Sequence, residues 1–190
     1  MAEPTQPGDI VRDDAPSFTS KDKAERATAS PNGESSVSGV AVTINRPRHE
    51  LYAYWRDFGN LATFMQNVRA IEVQDRDRSH WIVAGPNGDY AWDAVVTEDV
   101  DGERIGWKTE NSDVPNSGWV TFADAAPGRG TVVTAVIAYS PPAGIIGKLV
   151  AKVTQKEPAI EARRDLRRFK QLMETGEIAT TTPPNREPKS

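Results

Sequence analysis

Two histidines and no cysteine are what this 190-residue chain offers for the commonest side-chain chemistries. A nucleophile–histidine–acid triad needs an imidazole held by an orienting carboxylate. His49 falls at the start of a helical stretch. His80 precedes Trp81 in a strand-like run, and alternation turns it to the face opposite Trp81. Neither is poised for catalysis. The absence of cysteine excludes disulfides, thiolate zinc sites, iron–sulfur clusters and cysteine nucleophiles. Two histidines argue against a multi-histidine metal centre, and no cofactor is expected. If chemistry occurs, its polar groups must come from inward-facing strand positions. Tyr139, a weak catalytic candidate, and Thr131 are the best placed, with Tyr90 next. A tyrosine hydroxyl can orient a carbonyl or stabilise an enolate; more often it bonds water or backbone.

The aromatic residues make a stronger pattern. Trp81, Trp92 and Trp107 sit on successive strand-like runs, with Phe122, Val133 and Tyr139 in phase further along. If those strands pair in sequence order, the side chains share one face. That face is either a packed core or the wall of an apolar pocket, since pockets are lined mainly by apolar and aromatic groups. Trp119 is out of phase and should face outward. A helical stripe of Ile145, Ile146, Leu149, Val150 and Val153 is spaced to cover the same face. Phe64 and Met65 are placed to form part of a mouth.

These residues need a scaffold, and the periodicity supplies one. Residues 37–176 hold 13 of the 14 aromatics, a one-domain length. The 37% hydrophobic content is therefore diluted by the ends. Residues 1–36 read as an acidic, disordered leader and 177–190 as a disordered tail, rich in proline and poor in apolar residues. Val40, Val42 and Ile44 alternate as a strand. Two short helices follow, one from Arg48 to Arg56 behind Pro47 with Asn45 as cap, the other carrying Leu61, Phe64 and Met65 behind Asn60. Six strands come next, over about 68–76, 80–84, 90–98, 104–109, 117–123 and 131–139, joined by Asn-Gly, Asp-Gly and Pro-Gly turns. A long helix closes the chain. It is interrupted at Pro158, continues through Leu166, Phe169 and Met173, and stops at Gly176.

This order resembles the helix-grip fold of the START and birch-pollen-allergen proteins, the SRPBCC superfamily. The motifs His80-Trp81-x-Val83-x-Gly85-Pro86-x-Gly88, Ile105-x-Trp107, Asn116-x-Gly118-x-Val120-x-Phe122, Tyr139-x-Pro141-Pro142 and Asp165-Leu166-Arg167-Arg168-Phe169 are similar to its bacterial cyclase/dehydrase branch, which also resembles the coenzyme Q-binding proteins. The resemblance covers about residues 37–178. It implies an α+β domain in which a curved antiparallel sheet of about seven strands wraps around the C-terminal helix. It also implies an apolar cavity between them that receives a lipid, quinone or polyketide-like molecule. The ligand-binding residues would be Phe64, Trp81, Trp92, Trp107, Phe122, Val133, Tyr139, Ile146, Leu149 and Val150. Access would need movement of Phe58–Met65 or of the hairpin at 85–89. The alternative is a polyketide cyclase/dehydratase-type enzyme using the same cavity.

The remaining partners follow from charge. A net charge of −4 gives no general reason to bind nucleic acid. The cluster Arg163, Arg164, Arg167, Arg168 and Lys170 is balanced by Glu157, Glu161, Asp165 and Glu174 to a net of +1 over 157–174. It reads as a solvated face with Glu161–Arg164 and Asp165–Arg168 pairs, or as a transient contact with an anionic membrane surface. No apolar run is long enough to span a bilayer and no secretory signal is visible, so a cytoplasmic location is expected.

Overall fold

The computed structural model describes residues 36–85, 88–112, 115–139 and 158–179. The expectations for residues 1–35, for the Ile145–Val153 stripe with Ile146, Leu149 and Val150, and for the Tyr139 side chain lie outside the described residues.

Seven strands form one antiparallel sheet. They are β1 (Ser36–Ile44), β2 (Val68–Val73), β3 (Arg78–Gly85), β4 (Gly88–Val100), β5 (Arg104–Glu110), β6 (Asn116–Asp124) and β7 (Thr131–Tyr139). Their spatial order is β1-β7-β6-β5-β4-β3-β2. Six strands thus meander from β2 to β7, and β7 returns beside β1. Helix α1 (Arg48–Arg56) and a 3-10 helix (Phe58–Thr63) follow β1, and α2 (Pro158–Thr175) is the last described element. This is the helix-grip arrangement. Irregular register at Val68/Ala70 and Val96/Glu98 adds local bend to the far strands.

Period-two alternation sets the inner face. Val42, Val133 and Phe122 lie side by side across β1, β7 and β6. Val40, Ala135, Val120 and Ile105 form the next row across four strands. All of these side chains are buried, against Leu51, Tyr52 and Trp55 of α1, Leu61 of the 3-10 helix, and Leu166 and Phe169 of α2. Gly130 has φ +80 and lies so close to β1 that a Cβ would sit 2.2 Å from the Ile44 carbonyl oxygen. The turn into β7 therefore needs glycine twice over.

Several boundaries differ from the sequence expectation for local reasons. β2 ends at Val73 rather than near residue 76, because the Asp75 carboxylate accepts from the Asp77 and Arg78 amides and closes a turn. Asn45 does not cap α1. Pro47 holds that position, and the Asn45 amide donates to Glu174 Oε1 at 2.7 Å. Arg46 donates to the carbonyls of Met173 and Glu174, so the C-terminus of α2 is tied to the end of β1. Pro158 opens α2, and Gly176, with φ +79, follows its last turn, as the sequence indicated.

Candidate functional site

The inner face divides into two ends. The α1 end holds the close-packed core cluster, with an open cleft beside the helix. The other end, beside the β3–β4 hairpin and the β5–β6 connection, carries the tryptophans.

Trp81 and Trp92 are direct partners across β3 and β4. Trp107 on β5 stands opposite Val96 on one side and Gly118 on the other, which places it on the same face. All three are half-buried. A Cβ built at Gly118 would lie 2.7 Å from the nearest Trp107 ring carbon, so the indole rests against the β6 backbone. Its Nε1–H donates to Asn116 Oδ1 at 3.3 Å. Asn116 is itself held by Thr109, whose hydroxyl accepts from the Asn116 amide and donates to the Asn116 carbonyl. Trp81 Nε1–H donates to the hydroxyl of buried Ser79 at 2.9 Å. The indole N–H groups of Trp81 and Trp107 are thus satisfied within the sheet, which leaves their carbon faces for apolar contact.

Phe64, Phe122 and Val133 belong to the other end. Phe64 is fully buried, with its ring centroid 4.7 Å from Phe169 and 5.3 Å from Trp55. Phe122 makes edge contacts with Tyr52 and Trp55. The structure therefore places these three inside the core cluster, with Trp81 packed at its margin. Tyr52 and Trp55 of α1 and Phe169 of α2 occupy the space that the alternation alone left open. Phe58 and Leu61 are buried in the same cluster, so Phe58–Met65 is anchored in the core rather than lying over it as a loose flap.

An open cleft of about 520 Å3 lies at the α1 end, lined by Tyr52, Arg56, Arg76, Asp99 and Asp101 among others. Its charged lining makes it unlike the expected apolar cavity. Asp99 accepts a short hydrogen bond from the Tyr52 hydroxyl and one of 2.9 Å from Arg56 Nε. Arg56 also donates to the Arg76 carbonyl and to Asp77. Burial works to raise Asp99, but the hydrogen bonds from Tyr52 and Arg56 and the charges of Arg56 and Arg76 outweigh it, holding the carboxyl below its ordinary value. Burial, then the bond to Asp99, pushes the Tyr52 hydroxyl up to about 12. A phenol that weakly acidic and a carboxylate that firmly ionised are poor proton-transfer groups at neutral pH. Their role is to tie α1 to the β4–β5 hairpin.

Tyr52→Phe is expected to lower unfolding free energy by about 1–2 kcal/mol in urea titrations at pH 7, because it removes a hydrogen bond to a charged acceptor. Since the folded-state pKa of Asp99 is depressed, its contribution is present above the ordinary carboxylate value and disappears as pH falls through the folded one. The Tyr52→Phe and wild-type curves should therefore converge in acid.

His80 and Asp93 lie on the outer face, as alternation required. They are also register partners, with Nδ1 and Oδ1 2.8 Å apart. The signal was available by counting outward from Gly85 and Gly88, which pair at the end of the ladder. Trp119 faces outward too, beneath the Arg104 guanidinium at 4.9 Å from the ring centroid. On α2, Glu161 and Asp165 reach the 3-10 connection rather than making the surface pairs expected with Arg164 and Arg168. Glu161 accepts from Asn67 Nδ2 at 2.6 Å, Asp165 from the Gln66 amide at 3.1 Å, and Arg168 donates to the Phe64 carbonyl at 2.8 Å. Among the described residues, no helix is long and apolar enough to cross a membrane.

Comparison with known proteins agrees with this geometry. The family model described as polyketide cyclase / dehydrase and lipid transport matches residues 44–159. A crystal structure of a Deinococcus radiodurans protein is 37% identical, with a TM-score of 0.61, covering 75% of this chain and 99% of that one. A START superfamily protein from Mycobacterium smegmatis, 13% identical, shares the fold with a TM-score of 0.56 over 74% of this chain and 99% of its own. An uncharacterised 17.2 kDa protein of Streptomyces lincolnensis is 29% identical over 82 residues. That match spans 43% of this chain and 55% of the relative's length.

Proposed function

The chain belongs to the polyketide cyclase / dehydrase and lipid transport family of the SRPBCC superfamily, and from that premise we propose that it binds and carries one small apolar or amphipathic molecule against the tryptophan wall. One observation carries the reading. Trp81, Trp92 and Trp107 share the inner face and are all half-buried, with Trp81 packed at the margin of the core cluster. A quinone, acyl chain or fused-ring compound laid on these rings gains about 0.8 kcal/mol for each methylene it buries, plus ring contacts. Two described polar side chains on this face are already engaged, which favours carriage over cyclisation. Ser79 is engaged with Trp81, and the Thr131 hydroxyl donates to the Arg46 carbonyl at 2.8 Å. Neither is left to steer a reacting carbonyl.

The test is native mass spectrometry of the purified protein, followed by titration with a long-chain quinone and a fatty acid. A stoichiometric passenger, or saturable binding that raises the melting temperature, is the expected result. Trp92→Ala should weaken binding at least tenfold, about 1.4 kcal/mol. It should cost less stability than removal of a fully buried ring. A protein that is empty and indifferent to both ligands, or a Trp92→Ala variant with wild-type affinity, overturns the reading.

A further inference from the structure

The Glu161–Asp165 face of α2 does something the ligand wall does not explain. Two carboxylates one helical turn apart are drawn inward against a segment with no ionisable residue, Phe58–Asn67. Surface carboxylates ordinarily stay in water or pair with bases, and bases are plentiful on this helix. Here Glu161 takes the Asn67 amide group and Asp165 takes the Gln66 backbone amide, while Arg168 binds the Phe64 carbonyl one turn further on. These three contacts, on one face of α2, hold it to the chain entering β2.

The apolar anchoring of α2 is uneven. Leu166 and Phe169 are fully buried, whereas Ile160 is 45% exposed and Ala162 only half-buried. Among the described residues, the first two turns of α2 are tied down by Glu161 and Asp165 with only Ala162 at the margin of the core, an element of the kind that opens locally. We propose that these two turns form a proton-linked clamp, in which protonation of Asp165 favours docking on Gln66–Asn67 and its ionisation favours release.

The direction follows from the surroundings of Asp165. Burial, and the Glu161 charge beside it, push the carboxyl up; the Gln66 amide and Arg168 oppose this only in part, and the balance is a value of about 6. Among the described residues, the charges acting on it are Glu161 and Arg168, both on α2. Arg69, at the start of β2, lies 3.8 Å from Asp89 across the edge of the sheet. When the first turns lift, Asp165 returns to water and to an ordinary carboxylate value near 3.8. The docked state therefore binds the proton more tightly, and acidification closes the clamp. That the clamp also controls access to the tryptophan wall rests on the function proposed above. The clamp itself is testable without any ligand, so the two can fail separately.

The experiment is amide hydrogen exchange of the intact protein, corrected for intrinsic rates, at pH 7.5 and pH 5. Protection across residues 158–168 and 66–68 should rise about tenfold at the lower pH, while central sheet amides change much less. His49 and His80 sit away from these segments, on α1 and on the outer face of β3. Asp165→Asn, which mimics the protonated group, should be protected at both pH values and lose the difference. Glu161→Gln, which removes the neighbouring charge, should shift the transition to lower pH. Equal corrected protection at both pH values in the wild type overturns the clamp. So does a pH response that survives unchanged in Asp165→Asn.

Discussion

Phe169→Ala is expected to lower the unfolding free energy by about 3–5 kcal/mol, the range for deleting a large buried ring. Phe169 is fully buried. Its ring centroid lies 4.7 Å from Phe64, 5.2 Å from Trp55 and 5.9 Å from Tyr54. One side chain on α2 thus touches α1 and the residue that follows the 3-10 helix, and α1 in turn packs on Phe122 of the sheet through Tyr52 and Trp55. Three aromatic neighbours cannot all collapse into the space a phenyl ring leaves, so the variant keeps much of its cavity. Deletion should also loosen the contacts of α2 with β1. The midpoint of a urea or guanidinium titration at pH 7 measures the loss, with an unchanged slope showing that the unfolding remains cooperative. A loss below about 1.5 kcal/mol would mean that the aromatic cluster is not the structural centre. Trp92→Ala supplies the contrast, since a half-buried ring at the other end of the sheet should cost clearly less.

That contrast marks where the sequence was legible. Period-two alternation placed Trp81, Trp92, Trp107 and Phe122 on one face correctly, because a strand offers only two directions and short antiparallel turns keep neighbours in sequence order. It did not say that Phe122 is fully buried while Trp92 is only half-buried. That distinction depends on how far α1 reaches across the sheet, and therefore on Tyr52 and Trp55, whose orientation no local pattern specifies. The Asp165–Gln66 contact was hidden for a related reason. The i, i+3 rule offered Arg168 as an obvious partner, and a backbone amide 99 positions away leaves no trace in composition. The Tyr52–Asp99–Arg56 network likewise joins residues more than 40 positions apart. Asn45 failed as a cap because Pro47 already fixed the entry to α1, which freed the Asn45 amide for Glu174.

Gly118→Ala tests the wall at its least forgiving point. A Cβ there would meet the Val136 carbonyl oxygen at 2.2 Å and the Trp107 ring at 2.7 Å, both shorter than the approach real Cβ atoms make. The carbonyl belongs to β7, the neighbouring strand, so relief on that side requires β6 and β7 to part. Relief on the other side requires the Trp107 indole to leave its seat and strain its bond to Asn116. Overpacking of this kind costs about 1–3 kcal/mol, and a contact with backbone belongs toward the upper end. A displaced indole should also shift the tryptophan emission and weaken binding of any ligand that lies on the wall. Trp107→Ala in the same chain separates the two obstacles. If the ring carries part of the clash, alanine at 118 will cost less in the Trp107→Ala background, with a coupling of at least about 0.5 kcal/mol. The Val136 carbonyl still stands in the way, so the rescue should be partial. Full additivity would show that the indole does not rest on Gly118. The glycine in the Asn116-x-Gly118 motif would then serve the sheet alone, and what holds the Trp107 indole in place would have to be sought elsewhere.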